Sequence, residues 1–346
     1  MSIPKVPSNK TRFALRELVI VLLVLVLLAG ALYVFIQVKL GAINRVNSGG
    51  DGDADSSASA VSSWEPTEWA EAGIATSVEG VVNVLLVGQD SRDGERSNSD
   101  TMIILSINRN LNQISMVSLM RDIYVQIPGY ENNKLNAAYL LGGFDLLDET
   151  ISTNFGVAID YNVEVDFEGF KDIVNTLGGI DVEMYQEEAD YINGKLKQDT
   201  LVEGVNHLTG EEALWYARTR KVGNADFERT ERQREVLEII YEDLKDASWL
   251  KLLQVYDSVA DNVTTDMNNN QILNIAFSAY SMGQNKLNSY RLPVDGTWHS
   301  VDAVGNVAGP LVIDDWEANQ QTLWNYLYGE DGEADADGSA EASVIN

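Results

Sequence analysis

The 346-residue chain contains no cysteine, which excludes disulfides, thiolate metal sites and a cysteine nucleophile. It has two histidines, His207 and His299, and neither has a metal-ligand partner at a workable spacing. Both are read as structural or surface residues. Basic residues are scarce: 24 Lys+Arg stand against 53 Asp+Glu, a net charge of −29. A chain so acidic offers no basic face to a phosphodiester backbone, so nucleic acid is not an expected partner. Nucleophile-elbow, Walker and dinucleotide fingerprints are missing as well. The shortage of cations carries a positive implication: where the few arginines gather, they have a specific anion to hold.

Apolar sequence is concentrated near the start. Residues 18–36 read LVIVLLVLVLLAGALYVFI, and a helix of that length rises about 28 Å, close to the hydrocarbon thickness of a bilayer. A cleaved signal peptide would have a shorter apolar core and a small-residue cleavage site. Here the run ends in Gln37-Val38-Lys39, so residues 18–38 are expected to be an uncleaved single-pass anchor. Lys5, Lys10, Arg12 and Arg16 precede it, which places 1–17 in the cytoplasm and the remainder outside. Residues 39–80, rich in Ser, Ala, Gly and Asp, are expected to be a flexible stalk. The acidic, low-complexity stretch 329–346 reads as a disordered tail.

Between them the pattern is that of an α/β domain with a central mixed sheet flanked by helices. Residues 81–87 (VVNVLLV) read as a buried strand. Residues 101–107 and 113–119 read as strands joined by a turn at 108–111, and 161–165 and 180–184 as further strands. Helices are expected over 136–141, 144–155 and 167–177, the last stopped by Gly178-Gly179. Thr209-Gly210-Glu211-Glu212 has capping-box spacing for a helix through Ala217. Asp226 is the expected N-cap of a long helix over 227–244. The core of the domain is assigned to 81–245, and 246–328 is its C-terminal part.

Two groups of residues could carry chemistry. Asp90 directly follows the first strand and Asp100 opens the next. If the loop between them folds back, two carboxylates meet at one end of the sheet, a donor set that suits Mg²⁺. Spacing alone favours the alternative, an acidic surface loop with Asp100 as a cap or turn residue. The second group is the arginines: Arg121 at a strand end, Arg218 and Arg220 where a helix runs out, and Arg229, Arg232 and Gln233 at three- and four-residue spacing on the next helix. They suit a diphosphate, because each guanidinium donates two parallel hydrogen bonds and keeps its charge. The alternative is a solvated face paired with Glu228, Glu231 and Glu235, which is the reading adopted for Arg234.

Six blocks in order, VVNVLLVGQDSR, SDTMIILSINRNLNQISMVSLMRDIYVQIPGY, KLNAAYLLGG, VDFEGFKDIVNTLGGIDV, HLTGEEALWYARTRK and DFERTERQREV, resemble the LytR–CpsA–Psr family of cell-envelope proteins. They cover residues 80–245. The resemblance implies an apolar pocket in the sheet domain that holds a polyprenyl chain. It also implies transfer of a glycopolymer from polyprenyl diphosphate to peptidoglycan or another envelope acceptor. By motif, Asp90 and Asp100 look like ligands of Mg²⁺ or Mn²⁺. Arg121, Arg218, Arg220, Arg229 and Gln233 look like diphosphate ligands, with Arg92 and Lys134 as additions and Asp122 as a candidate proton acceptor. The stretch DGERSN before SDT, and MRD where Pro-Arg-Asp is usual, depart from the family pattern without removing a charged group. Diphosphate hydrolysis and non-catalytic sensing of lipid intermediates are the competing functions.

Overall fold

The computed structural model describes residues 44–45, 78–89, 99–219, 225–282 and 287–329. The expected anchor (18–38) and tail (329–346, except Gly329) lie outside them. Among the described residues no helix is long and apolar enough to cross a membrane.

The strands in chain order are β1 (Asn44–Arg45), β2 (Val81–Gln89), β3 (Ser99–Asn108), β4 (Gln113–Leu119), β5 (Tyr124–Val125), β6 (Asn133–Lys134), β7 (Tyr161–Asp166), β8 (Ile180–Met184), β9 (Gly204–Leu208), β10 (Val263–Thr265), β11 (Leu287–Leu292), β12 (Trp298–Ser300), β13 (Ala303–Val304), β14 (Val307–Ala308) and β15 (Leu311–Ile313). The helices are α1 (Leu135–Phe155), α2 (Phe167–Leu177), α3 (Gln186–Leu196), α4 (Gly210–Arg218), α5 (Ala225–Lys245), α6 (Trp249–Val259), α7 (Asn269–Ser281) and α8 (Trp316–Tyr328).

Seven strands form one mixed sheet in the order β1-β10-β7-β2-β3-β4-β11. β2, β3 and β4 are an antiparallel meander. β7 joins β2 in parallel and β11 joins β4 in parallel, as crossover connections allow. Period-two alternation separates the two faces. Leu85, Val87, Met102, Ile104, Val117 and Leu119 face a core completed by α1 and α8, where Leu147, Leu323 and Leu327 are fully buried. Ile103, Ile107, Ile114 and Met116 face the opposite way, toward Leu237 and Tyr241 of α5 and Ile275 of α7. A second core lies beside the sheet, where Val174, Val182, Ile192, Ala213, Val236 and Ile240 unite α2, the β8–β9 ribbon, α3, α4 and α5.

The mixed sheet and its flanking helices agree with the sequence reading, and three local details differ. Asn44 and Arg45 fall inside the expected stalk but pair with β10, which makes them an edge strand of the sheet. Asp226 is the second residue of α5, so it does not occupy the N-cap position. The two helices expected over 136–155 form one span broken at Gly143, whose φ of 68° and ψ of −149° are open to glycine but strained for other residues.

Candidate active site

The site is built at the sheet end where β2 stops and β3 begins. The register shifts there: Gly88 pairs with Thr101 and Gln89 with Ser99, which leaves Asp100 as the extra residue of a β-bulge. Bulges re-aim a strand end and are common beside active sites. The pairing is close at Gly88, where a Cβ would lie 3.1 Å from the Thr101 Cβ. Asp90, Arg92 and Arg220 lie outside the described residues, and Asp100 is described only by its place in the strand.

Four of the expected ligands converge on this end. Gly88 and Thr101 line a cleft of about 300 Å³ with Arg218, Arg229 and Gln233. Arg121, which follows β4, adjoins Arg229, Gln233 and Thr101 in a narrow space with about 10 Å³ open. Each cation is delivered by an ordinary local device. The Thr209–Glu212 capping box starts α4, with the Thr209 N–H donating to Glu212 Oε2 at 2.8 Å, and Arg218 stands in the last turn. The backbone N–H of Met120 donates to the Leu292 carbonyl at 3.0 Å, extending the β4–β11 pairing to the residue before Arg121. Arg229 is 3% exposed on the first turns of α5.

The cleft also has an aromatic wall that the sequence reading does not contain. Phe167, Tyr191 and Trp215 line it. The Arg218 guanidinium lies 4.2 Å from the centroid of the Phe167 ring and 5.7 Å from that of Trp215. These cation–π contacts hold the guanidinium against the aromatic wall. Phe167 and Trp215 stand in two of the quoted blocks and Tyr191 in none, and only the fold brings the three together.

Asp122, the expected proton acceptor, contacts two cations. Its Oδ1 accepts from Lys134 Nζ at 2.8 Å and its Oδ2 from Arg121 Nε at 3.2 Å. Both carboxylate oxygens are thus engaged by cations, and Asp122 holds Arg121 and Lys134 in place. Arg121, Asp122 and Lys134 in turn line a second cleft, of about 450 Å³, with Asn136, Leu140 and Leu141.

Arg232 leaves the face it was expected to share with Arg229. It is 5% exposed and donates to Glu188 Oε1 at 2.8 Å and to the Thr219 carbonyl at 2.7 Å. On the same side of α5, Arg234, Glu188, Glu203, Glu231 and Glu238 line a cavity of about 820 Å³. Burial lowers the pKa of Arg234 there. Burial likewise raises that of Glu235, which accepts a hydrogen bond from the Tyr216 hydroxyl at 2.7 Å. His207 is a clip, paired with Asp181 at 2.7 Å and the Gly178 carbonyl at 2.9 Å, and His299 pairs with Asp314 at 2.8 Å. Among the described residues no three His, Asp or Glu side chains group as a metal site.

Comparison with known proteins converges on one family. Residues 46–318 match the LytR_cpsA_psr family model. The regulatory protein MsrR of Staphylococcus aureus (strain COL) is 29% identical over 252 residues, covering 72% of this chain and 75% of MsrR. Bacillus licheniformis TagU, a polyisoprenyl-teichoic acid–peptidoglycan teichoic acid transferase, is 36% identical over 220 residues, covering 62% of this chain and 69% of TagU. The LytR-CPS2A-psr family protein YwtF (TagT) with bound octaprenyl pyrophosphate lipid is 26% identical with a TM-score of 0.56, covering 72% of this chain and 91% of that one. With a family model spanning most of its length and a relative as similar as TagU, the chain belongs to the LytR_cpsA_psr family.

Proposed function

We propose that this chain is a phosphotransferase that moves a glycopolymer from a polyprenyl diphosphate carrier to a sugar hydroxyl of peptidoglycan or another envelope acceptor. The observation that carries the reading is the convergence of Arg121, Arg218, Arg229 and Gln233 on the β2–β3 bulge of a protein with a net charge of −29. The activity printed for TagU and the octaprenyl pyrophosphate bound by TagT support the same chemistry. The domain works outside a membrane into which residues 18–38 anchor it, with 1–17 in the cytoplasm.

In this reading the guanidinium groups of Arg121, Arg218 and Arg229, joined by Arg220, Arg92 and Lys134, bind the linked phosphates, and the Gln233 amide adds a neutral hydrogen bond. The acceptor hydroxyl forms a bond to the phosphorus that bears the sugar and gives its proton to a carboxylate beside the site, Asp122 or Asp90, the bond from that phosphorus to the bridging oxygen breaks, and the carrier leaves as a polyprenyl phosphate. Negative charge grows on the leaving phosphate, and fixed cations in a water-poor cleft neutralise it without reorganising. Phe167, Tyr191 and Trp215 form a flat wall for the sugar next to the diphosphate. The prenyl chain would occupy the apolar interior beside the sheet.

Asp90 and Asp100 would hold Mg²⁺ or Mn²⁺. The bulge supports this, because it leaves Asp100 outside the strand pairing beside the end of β2, and Asp90 is the next residue after that end. An all-oxygen donor set of two carboxylates suits either ion. When bound, the metal would supply further positive charge to the phosphates.

The test is a purified full-length chain with labelled lipid-linked donor. Label should pass to an added cell-wall oligosaccharide, and Arg218→Ala should lower the rate by about 100-fold or more with unchanged melting. Release of label without acceptor would mean a hydrolase. Donor binding with no turnover would mean a sensor, the role that the name of MsrR suggests. Unchanged transfer by Arg218→Ala would defeat the site assignment.

A further inference from the structure

In an in-line displacement the incoming hydroxyl meets phosphorus on the side opposite the leaving oxygen. A diphosphate held by the arginines therefore needs room beside it for a second substrate. Arg121 borders two spaces. One is the narrow space shared with Arg229 and Gln233, which adjoins the aromatic cleft. The other is the cleft of about 450 Å³, which has no lining residue in common with the aromatic one. That volume is ample for a sugar ring.

The second cleft is built where α1 begins. The Asn136 backbone N–H donates to the Arg121 carbonyl at 3.2 Å, and that of Leu135 donates to the Ile123 carbonyl at 2.8 Å. Tyr124 pairs with Lys134, and Val125 with Asn133. The first turn of α1 is thereby laid against the segment that carries Arg121 and Asp122.

One polar group in this wall is left over. Asn136 is 8% exposed and lines the cleft, and among the described residues its side-chain amide has no hydrogen-bond partner. Asn154, later on the same helix and also buried, shows the contrast. Its amide donates to the Gln126 and Thr150 carbonyls and accepts from the Gln126 N–H. A buried amide is costly to leave unpaired, so Asn136 fits a role toward a ligand that enters the cleft.

The chemistry of the wall selects the ligand. An isoprenoid has no polar atom and would bury the Asn136 amide unsatisfied. Sugar hydroxyl and acetamido groups donate and accept, as that amide does. Leu140 and Leu141, 44% and 41% exposed, offer an apolar surface to one face of the ring. Asp122 lines the same cleft, which puts a carboxylate beside a hydroxyl bound there.

We propose that this cleft is the acceptor subsite, in which Asn136 hydrogen-bonds an acetamido or hydroxyl group of the incoming sugar and Leu140 and Leu141 pack against its apolar face. The inference rests on the proposed function, which supplies the two substrates. It adds the side of Arg121 that each takes: the donor lies toward Arg218 and Arg229, and the acceptor toward α1.

The test uses the full-length chain, labelled lipid-linked donor and a soluble oligosaccharide of alternating N-acetylglucosamine and N-acetylmuramic acid. In Asn136→Ala, KM for the oligosaccharide should rise by about tenfold while KM for the donor stays within about twofold. A rise in donor KM, alone or equal to that of the acceptor, overturns the assignment, because the cleft would then serve the carrier or the diphosphate. Unchanged values for both substrates overturn it too. Leu140→Trp, which fills the cleft from a half-exposed position, carries the same readings if Asn136→Ala melts lower than the parent. Binding is also read without donor, by saturation-transfer NMR from protein to oligosaccharide. A parent that transfers nothing but shows this signal, lost in Asn136→Ala, refutes the proposed activity and leaves the subsite standing. A signal that is missing from the parent, or the same in both proteins, overturns the subsite.

Discussion

Arg232 and Thr219 are joined by a hydrogen bond of 2.7 Å from the guanidinium to the backbone carbonyl. Thr219 directly follows Arg218, so a buried residue of α5 fixes the chain segment that presents Arg218 to the cleft. Glu188 of α3 completes the arrangement with an ion pair of 2.8 Å to Arg232, both side chains about 95% buried. Removing one member strands the other charge in the interior. Arg232→Met should destabilise the protein by about 3–5 kcal/mol, and Arg232→Met with Glu188→Leu should recover most of that loss. Urea denaturation of the three proteins checks it, and equal stability of the single and double variants would argue against a coupled pair.

Asp122 separates two roles by kinetics. If it orients Arg121 and Lys134, Asp122→Asn weakens the hold on the diphosphate, and KM for the donor rises by about tenfold with a smaller change in kcat. A proton acceptor would give the opposite split, with kcat lowered by about 100-fold or more and KM kept. Steady-state rates against donor concentration distinguish the two.

Gly210 opens α4 against α2. A Cβ at this position would stand 2.3 Å from the Lys171 carbonyl oxygen, a backbone atom that cannot swing aside. Gly210→Ala should destabilise the protein by about 1–3 kcal/mol. Because α4 ends in Arg218, donor binding should fall as well. Thermal melting and donor titration measure the two effects, and a melting point equal to the parent's would contradict the close approach.

Asp148 gives the protein a pH dependence of folding. Burial, opposed by a hydrogen bond from Asn162 and assisted by Asp266 and Asp145, pushes its pKa up to about 7. The Asn162 amide donates to Asp148 at 2.7 Å and to Asp266 at 2.9 Å. The folded state holds this proton more tightly than the unfolded chain does. The stabilisation is therefore complete below about pH 4 and is lost as pH rises through about 7, by up to about 4 kcal/mol. Asp148→Asn should flatten the dependence and raise stability at pH 8. Urea midpoints at pH 5 and pH 8 test this, and parallel pH profiles for the two proteins would refute it.

Legibility followed the range of the interactions involved. The meander β2–β4 was readable because alternation along each strand records two buried faces directly. α4 was readable because its start is a local exchange between Thr209 and Glu212. The arginines were readable as residue types but not as directions: Arg229 and Arg232 are three residues apart on one helix, yet one lines the cleft and the other turns to Glu188. β1 could not be read, since Asn44 and Arg45 have no strand pattern of their own and become a strand only through β10. The 185–208 segment, with α3 and β9, likewise lacks a strong period. Tyr191 and Trp215 could not be separated from ordinary core aromatics until the fold placed them beside Arg218.

The same non-local pairing sets an order of events. β1 waits for β10, about 220 residues downstream, and β4 waits for β11, whose first residue is Leu287. At ribosomal rates of roughly 5–20 residues per second, the first of those intervals lasts about 10–40 s. Throughout it a growing chain carries an incomplete sheet with exposed rims. Until the last strands arrive, those rims present unpaired backbone N–H and C=O groups, so the sheet closes only late in synthesis.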